Sequence, residues 1–122
     1  MTKYDLEERT AIFGENIISF AGTIPKNAIT LPLISQIVRS GTSVGANYCE
    51  ADNAISKRDF VNKIGICKKE PRETSHWLRM IAKASEALKN DLWQQLVKES
   101  RELNLIFASI IIKCKTNDSL GK

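Results

Sequence analysis

Three short polar breaks, at Pro25-Lys26-Asn27, Asp52-Asn53 and Lys89-Asn90-Asp91, divide the chain into four segments, and within each the apolar residues step by three and four. That period belongs to a helix with one buried stripe. The first stripe is Leu6, Thr10, Phe13, Ile17, Phe20 and Ile24, with Asp5 placed to cap it and Glu8 three residues on. The second runs Ile34, Ile37, Gly41, Val44 and Tyr48 to about Ala51, behind an expected cap at Thr30, with Pro32 in the first turn where its missing N–H costs nothing. Ser56 and Asp59 open the third in capping-box fashion, before Phe60, Ile64, Cys67, Thr74, Leu78, Ile81 and Ser85. Leu92, Leu96, Leu103, Ile106 and Ile110 make the fourth, and Ile110-Ile111-Ile112 is read as helix because the surrounding period is helical. The spacing predicts helices over about 5–23, 31–51, 57–88 and 92–115, with a polar tail over 116–122. Loops this short force antiparallel neighbours, so the expected fold is all-α, a single-domain antiparallel up-down four-helix bundle. Pro71 is the internal conflict: it removes the bond to the Cys67 carbonyl and is expected to kink the third helix, with a break as the alternative.

Composition narrows the function classes. With 122 residues, 43% hydrophobic and 26% charged, the chain has the make-up of one globular unit. Cys49, Cys67 and Cys114 are an odd number, widely spaced, with no CxxC and one histidine, so a disulfide framework and a zinc site are both excluded and a reduced, cytoplasmic state is expected. MTKYDLEERT lacks the cationic start and apolar run of a signal peptide, and no stretch approaches the ~18 apolar residues of a membrane span. There is no GxxxxGK[ST], GxGxxG, HExxH or GxSxG. His76 lies about 13 Å from Cys67 by helical rise, too far to serve it as a base. Glu73 and His76 form one Glu-x-x-His pair, but helical di-metal sites need a second. No catalytic residue, cofactor or metal is therefore expected.

Two polar features remain. Gln36, Ser40, Ser43, Asn47 and Glu50 form a stripe on the second helix, edged by Arg39, and Gly41 and Gly45 beside it imply a close approach. If helices two and three pair about Asn53 and Ala54, residue i faces about 108 minus i. Arg39 then meets Lys69 and Glu70, with Glu73 one turn on, and Glu50 falls near Lys57 and Arg58. The stripe reads more readily as a network fixing helix register or a subunit contact than as a binding groove. The second feature is charge. Net charge is only +4, yet residues 57–83 hold eight Lys/Arg against three acids. Lys68, Arg72, Arg79 and Lys83, at steps of four, seven and four, make a strip suited to tracking phosphates, the plain alternative being a solvated helix face.

The string Gln36-x-x-Arg39-Ser40-x-x-Ser43-x-Gly45-Ala46-Asn47-x-x-Glu50-Ala51, then Ser56-Lys57-x-Asp59-Phe60-x-x-Lys63, then Lys69-Glu70-x-x-Glu73-Thr74-x-x-Trp77-Leu78, resembles the bacterial four-helix-bundle proteins of the 23S ribosomal RNA intervening-sequence family. The likeness starts at Asp5-Leu6-x-x-Arg9-Thr10 and spans nearly the whole chain; Pro71 and His76 depart from the usual small and aromatic residues. The resemblance implies a ring-shaped homopentamer. It also implies a likeness to the basic, pentameric accessory protein of diversity-generating retroelements, which binds nucleic acid and a reverse transcriptase. Trp77, Trp93 and Tyr48, more aromatic bulk than a small bundle holds easily, and Gly41 with Gly45 point independently to a homo-oligomer. The expected function is non-enzymatic association with nucleic acid, RNA by resemblance, through the strip; the alternative is a scaffold or adaptor for a protein partner. No membrane partner is expected.

Overall fold

The computed structural model describes the backbone of residues 3–120 and the side chains of residues 5–116. Four helices, α1 (Lys3–Gly22), α2 (Thr30–Asp52), α3 (Lys57–Ala84) and α4 (Asp91–Leu120), pack α1 on α2, α2 on α3 and α3 on α4, with α4 touching α1 more lightly. This is the expected up-down bundle. Phe13, Ile17 and Phe20 of α1, Ile37 and Val44 of α2, Ile64 and Leu78 of α3, and Leu96, Leu103 and Phe107 of α4 are fully buried or nearly so. Tyr48 is buried too, with its ring centroid 6.0 Å from that of Phe107, while Trp77 and Trp93 lie half-buried against the core. The bundle thus seats all three aromatics, and they are no argument for an oligomer.

Several boundaries differ from expectation, each for a local reason. α1 is already helical at Lys3, the first residue described, which puts Asp5 inside the helix. The cap of α2 is Asn27: its Oδ1 accepts from the backbone N–H of Ile29 and Thr30, both at 2.9 Å, while Thr30 Oγ1 accepts from Asn27 N–H at 3.0 Å. Thr30 is therefore the reciprocal partner in this capping box. Ser56 caps α3 as expected, accepting from Asp59 N–H at 3.0 Å. α3 ends at Ala84 rather than near 88, and a 3-10 turn at Glu86–Leu88 follows, buried by Leu88. α3 also runs unbroken through Pro71, which is buried. Beside the proline, the Lys68 carbonyl accepts a 2.8 Å bond from Asn104 Nδ2, which ties this stretch of α3 to α4. The polar tail is helical through Leu120; residues 121–122 lie outside the described residues.

Gly41 and Gly45 do mark a close approach, but it is internal. A Cβ on Gly41 would lie 2.7 Å from Ile17 Cγ1, and one on Gly45 would lie 3.4 Å from the Thr10 backbone. Both glycines let α1 approach α2, so neither is free for a subunit contact. α4 is fastened to α1 by Arg9, whose guanidinium donates to both oxygens of Glu99 at 2.7 Å and reaches Glu102 at 3.3 Å. The hydrogen bond to Glu99 raises the Arg9 pKa, outweighing the opposing effect of burial.

Candidate nucleic-acid interface

The polar stripe of α2 separates into distinct contacts. Arg39 takes Glu70 at 3.1 Å and also pairs with Glu73, while its Nε donates to Gln36 at 3.3 Å. Glu73 also accepts from Trp77 Nε1 at 3.0 Å. Thr74 Oγ1 donates to Ser40 Oγ at 2.8 Å inside the core. Asn47 Nδ2 bonds within α2, to the Ser43 carbonyl and hydroxyl at 2.9 and 2.8 Å. Glu50 pairs with Lys63 at 3.1 Å, two turns beyond the Ser56 cap. The loop from Asn53 to Ser56 is longer than a turn centred on Asn53 and Ala54. It shifts the α2–α3 pairing by a few residues, as Ser40 with Thr74 and Glu50 with Lys63 show. Arg39, Ser40 and Glu50 thus join α2 to α3, while Ser43 and Asn47 bond to each other, and no buried side-chain N or O among the described residues lacks a hydrogen-bond partner.

The basic strip faces the other way, toward α4. Arg72, Arg79 and Lys83 line a groove of about 820 Å³ between α3 and α4, where Lys89 and Arg101 join them. Its acidic member is Glu86, 3.6 Å from Lys89. Arg72 and Arg101 also border an adjoining hollow of about 380 Å³ with Ser75, Ser100 and Asn104, so the two arginines sit where both depressions meet. Lys68 lies outside the groove, one turn earlier on α3. Among the described residues, Lys68, Arg72, Arg79, Lys83 and Arg101 have no carboxylate within ion-pair distance. Their charges are left for solvent or a ligand.

The groove lining also has less polar members: Ala82, Val97 and Trp93, with His76 from α3. Trp93 Nε1 donates to the Leu78 carbonyl at 2.8 Å, which locks the indole, and Lys89 Nζ rests 5.8 Å from the ring centroid. Sequence reasoning missed Lys89, Arg101 and Trp93. The available signal was the spacing of Trp93, Val97 and Arg101 at steps of four on the last helix, beside the strip.

The one Glu-x-x-His pair is split between two faces of α3. Glu73 is committed to Arg39 and Trp77 on the α2 side, whereas His76 lines the α3–α4 groove. No group of three His, Cys, Asp or Glu among the described residues could hold a metal ion. Burial pushes the Cys67 thiol up to about 12, and its Sγ donates weakly to the Val44 carbonyl at 3.7 Å, so the nucleophilic thiolate is suppressed. No described helix is long and apolar enough to cross a membrane.

The chain is an all-α four-helix bundle with a basic groove between α3 and α4. The chain belongs to the 23S rRNA-intervening sequence protein family, whose model matches residues 3–109. It is similar to a crystal structure of a protein of unknown function from the S23 ribosomal protein family of Bacteroides thetaiotaomicron VPI-5482. The two share 31% identity and a TM-score of 0.78, over 87% of this chain and 97% of that one. No curated protein matches the chain.

Proposed function

We propose that this protein is a non-enzymatic, cytoplasmic, nucleic-acid-associated bundle that holds the phosphate backbone of RNA in the α3–α4 groove and works as a homo-oligomer. The observation that carries the reading is the meeting of Arg72, Arg79, Lys83, Lys89 and Arg101 in one groove, with Glu86 as its acid. Arg72, Arg79, Lys83 and Arg101, which have no carboxylate within ion-pair distance among the described residues, stay available to phosphates, and each contact releases counterions. The family's name supports RNA over DNA. Exposed Ile12, Ile18, Leu105 and Ile112 on α1 and α4 are apolar surface that further copies would cover. Five copies at +4 each would carry +20, turning a modest local field into a strong one.

Electrophoretic titration with structured RNA, single-stranded RNA and duplex DNA at two salt concentrations tests the binding. Affinity should fall steeply with salt, and Arg72, Arg79, Lys83 and Arg101 replaced together by Gln should weaken every complex and flatten the salt slope by about 3 on single strands, at about 0.7 per contact. Light scattering should give 68.5 kDa for five copies of 13.7 kDa. A variant that folds and binds as wild type reduces the groove to a solvated face. A wild type with no salt-dependent binding leaves the adaptor reading in its place, and a monomer at micromolar concentration removes the ring.

A further inference from the structure

We infer that the α3–α4 groove takes a single-stranded polynucleotide and seats one of its bases on the face of Trp93; this rests on the phosphate-binding reading above and specifies its ligand. A groove that bound phosphates alone would need only cations. This one places an aromatic face in its lining, between Lys89 on the turn and Arg101 two helical turns further along α4. The indole Nε1 is already used by the Leu78 carbonyl at 2.8 Å, so Trp93 has no donor left for reading a base edge, and its π-face is what remains for a ligand. A locked aromatic face flanked by cations is the chemistry of sequence-tolerant stacking on unpaired bases. A duplex keeps its base faces covered by their neighbours and cannot use it.

The neighbours fit that occupant. Lys89 Nζ lies over the ring at 5.8 Å and pairs loosely with Glu86 at 3.6 Å, so it can leave the ring for a phosphate when a base arrives. Ala82 and Val97 extend the lining as apolar surface for the base edge, and Arg72 with Arg101 offers a planar, forked pair for the next phosphate. His76 on the wall touches Trp77 edge to face at 4.9 Å, a second aromatic within the same groove.

The test compares four probes of equal length at one salt concentration: oligo(dT), oligo(U), an abasic strand with the same phosphates, and a duplex. Wild type should bind oligo(dT) and oligo(U) about tenfold more tightly than the abasic strand, the size expected for one stacked base. A preference for oligo(U) over oligo(dT) would name RNA as the source, and equal binding would leave the site open to either sugar. Trp93→Leu should erase the gap between oligo(dT) and the abasic strand, while Trp93→Phe, which keeps a ring, should retain most of it. In a Trp77→Phe background the remaining tryptophan emission should be quenched by oligo(dT) and not by the abasic strand or the duplex; this readout decides the question if Trp93→Leu does not fold. Equal, salt-dependent binding of oligo(dT), abasic strand and duplex would overturn the stacking site while leaving the phosphate groove standing. No salt-dependent binding to any probe would remove both.

Discussion

Gly41→Ala isolates the close approach of α1 to α2. The new Cβ would stand 2.7, 2.8 and 3.0 Å from Cγ1, Cγ2 and Cβ of Ile17, all inside ordinary van der Waals contact. Ile17 is fully buried and branched at Cβ, so on a helix its χ1 is nearly fixed and it cannot swing aside. The helix backbones must separate instead, at the roughly 1–3 kcal/mol typical of an overpacked core. Alanine returns about 1 kcal/mol of helix propensity, which leaves a net loss of about 0–2 kcal/mol. Gly65→Ala on α3 is the control, because a Cβ there meets nothing within 4 Å and should gain about 1 kcal/mol. Urea and thermal unfolding should therefore separate the two variants by about 1–3 kcal/mol, or roughly 4–12 °C in Tm at about 4 °C per kcal/mol. In an Ile17→Ala background the Cγ contacts vanish, and Gly41→Ala should become neutral or stabilising. If Gly41→Ala proves as stable as Gly65→Ala, or if the Ile17 background makes no difference, the glycine is not there for this contact.

Arg39→Ala leaves Glu70, whose side chain is 7% exposed, without its cation. Because the Arg39 side chain is itself half in water, the loss should be about 2 kcal/mol, below the 3–5 of a wholly buried pair, and thermal unfolding should show it before any change in nucleic-acid binding. Cys67 gives the molecule an alkaline limit. Its folded pKa is raised from 9.0 to about 12, so the folded state keeps the proton longer; the stabilisation is complete below pH 9 and is lost as pH climbs toward 12. Urea unfolding of wild type should weaken by up to about 1.4 kcal/mol per pH unit from this thiol, and Cys67→Ala should show a flatter profile over the same range. Equal slopes for the two proteins would mean that other groups set the alkaline limit.

The number, order and buried faces of the helices were legible because every stripe keeps its period through Phe13, Ile37, Ile64 and Leu103, and burial follows that period. The Arg39 pairing with Glu70 and Glu73 was legible too, since long side chains tolerate a register error of a few residues; the shorter reach of Glu50 did not, and it found Lys63 instead. Asn27 was missed as a cap because its partner Thr30 is also a good cap residue, and only the backbone path decides which accepts first. Pro71 pointed to a kink, with a break as the alternative, because propensity is local; α3 runs unbroken through it, packed on both sides by its neighbours. The groove suffered from the same limit. Three of its cations are on α3 and visible as a strip, but Lys89, Arg101 and Trp93 join them only after the turn at Glu86–Leu88 folds α4 back.

Adjacent residues of α3 point their hydroxyls in opposite directions: Thr74 meets Ser40 on α2, and Ser75 meets Ser100 on α4. Thr74, Ser40 and Ser100 are buried and also meet carbonyls of their own helices, at Glu70, Ile37 and Val97, so an alternative packing that rotated or slid α3 would give up the interhelical bonds, at about 1 kcal/mol each. Apolar stripes alone would not impose this, because leucine and isoleucine accept many neighbours. The two hydroxyl pairs act as a key cut on both edges, and their chief contribution is uniqueness: a sequence with four interchangeable-looking greasy faces is restricted to one ordering and one vertical alignment of its helices.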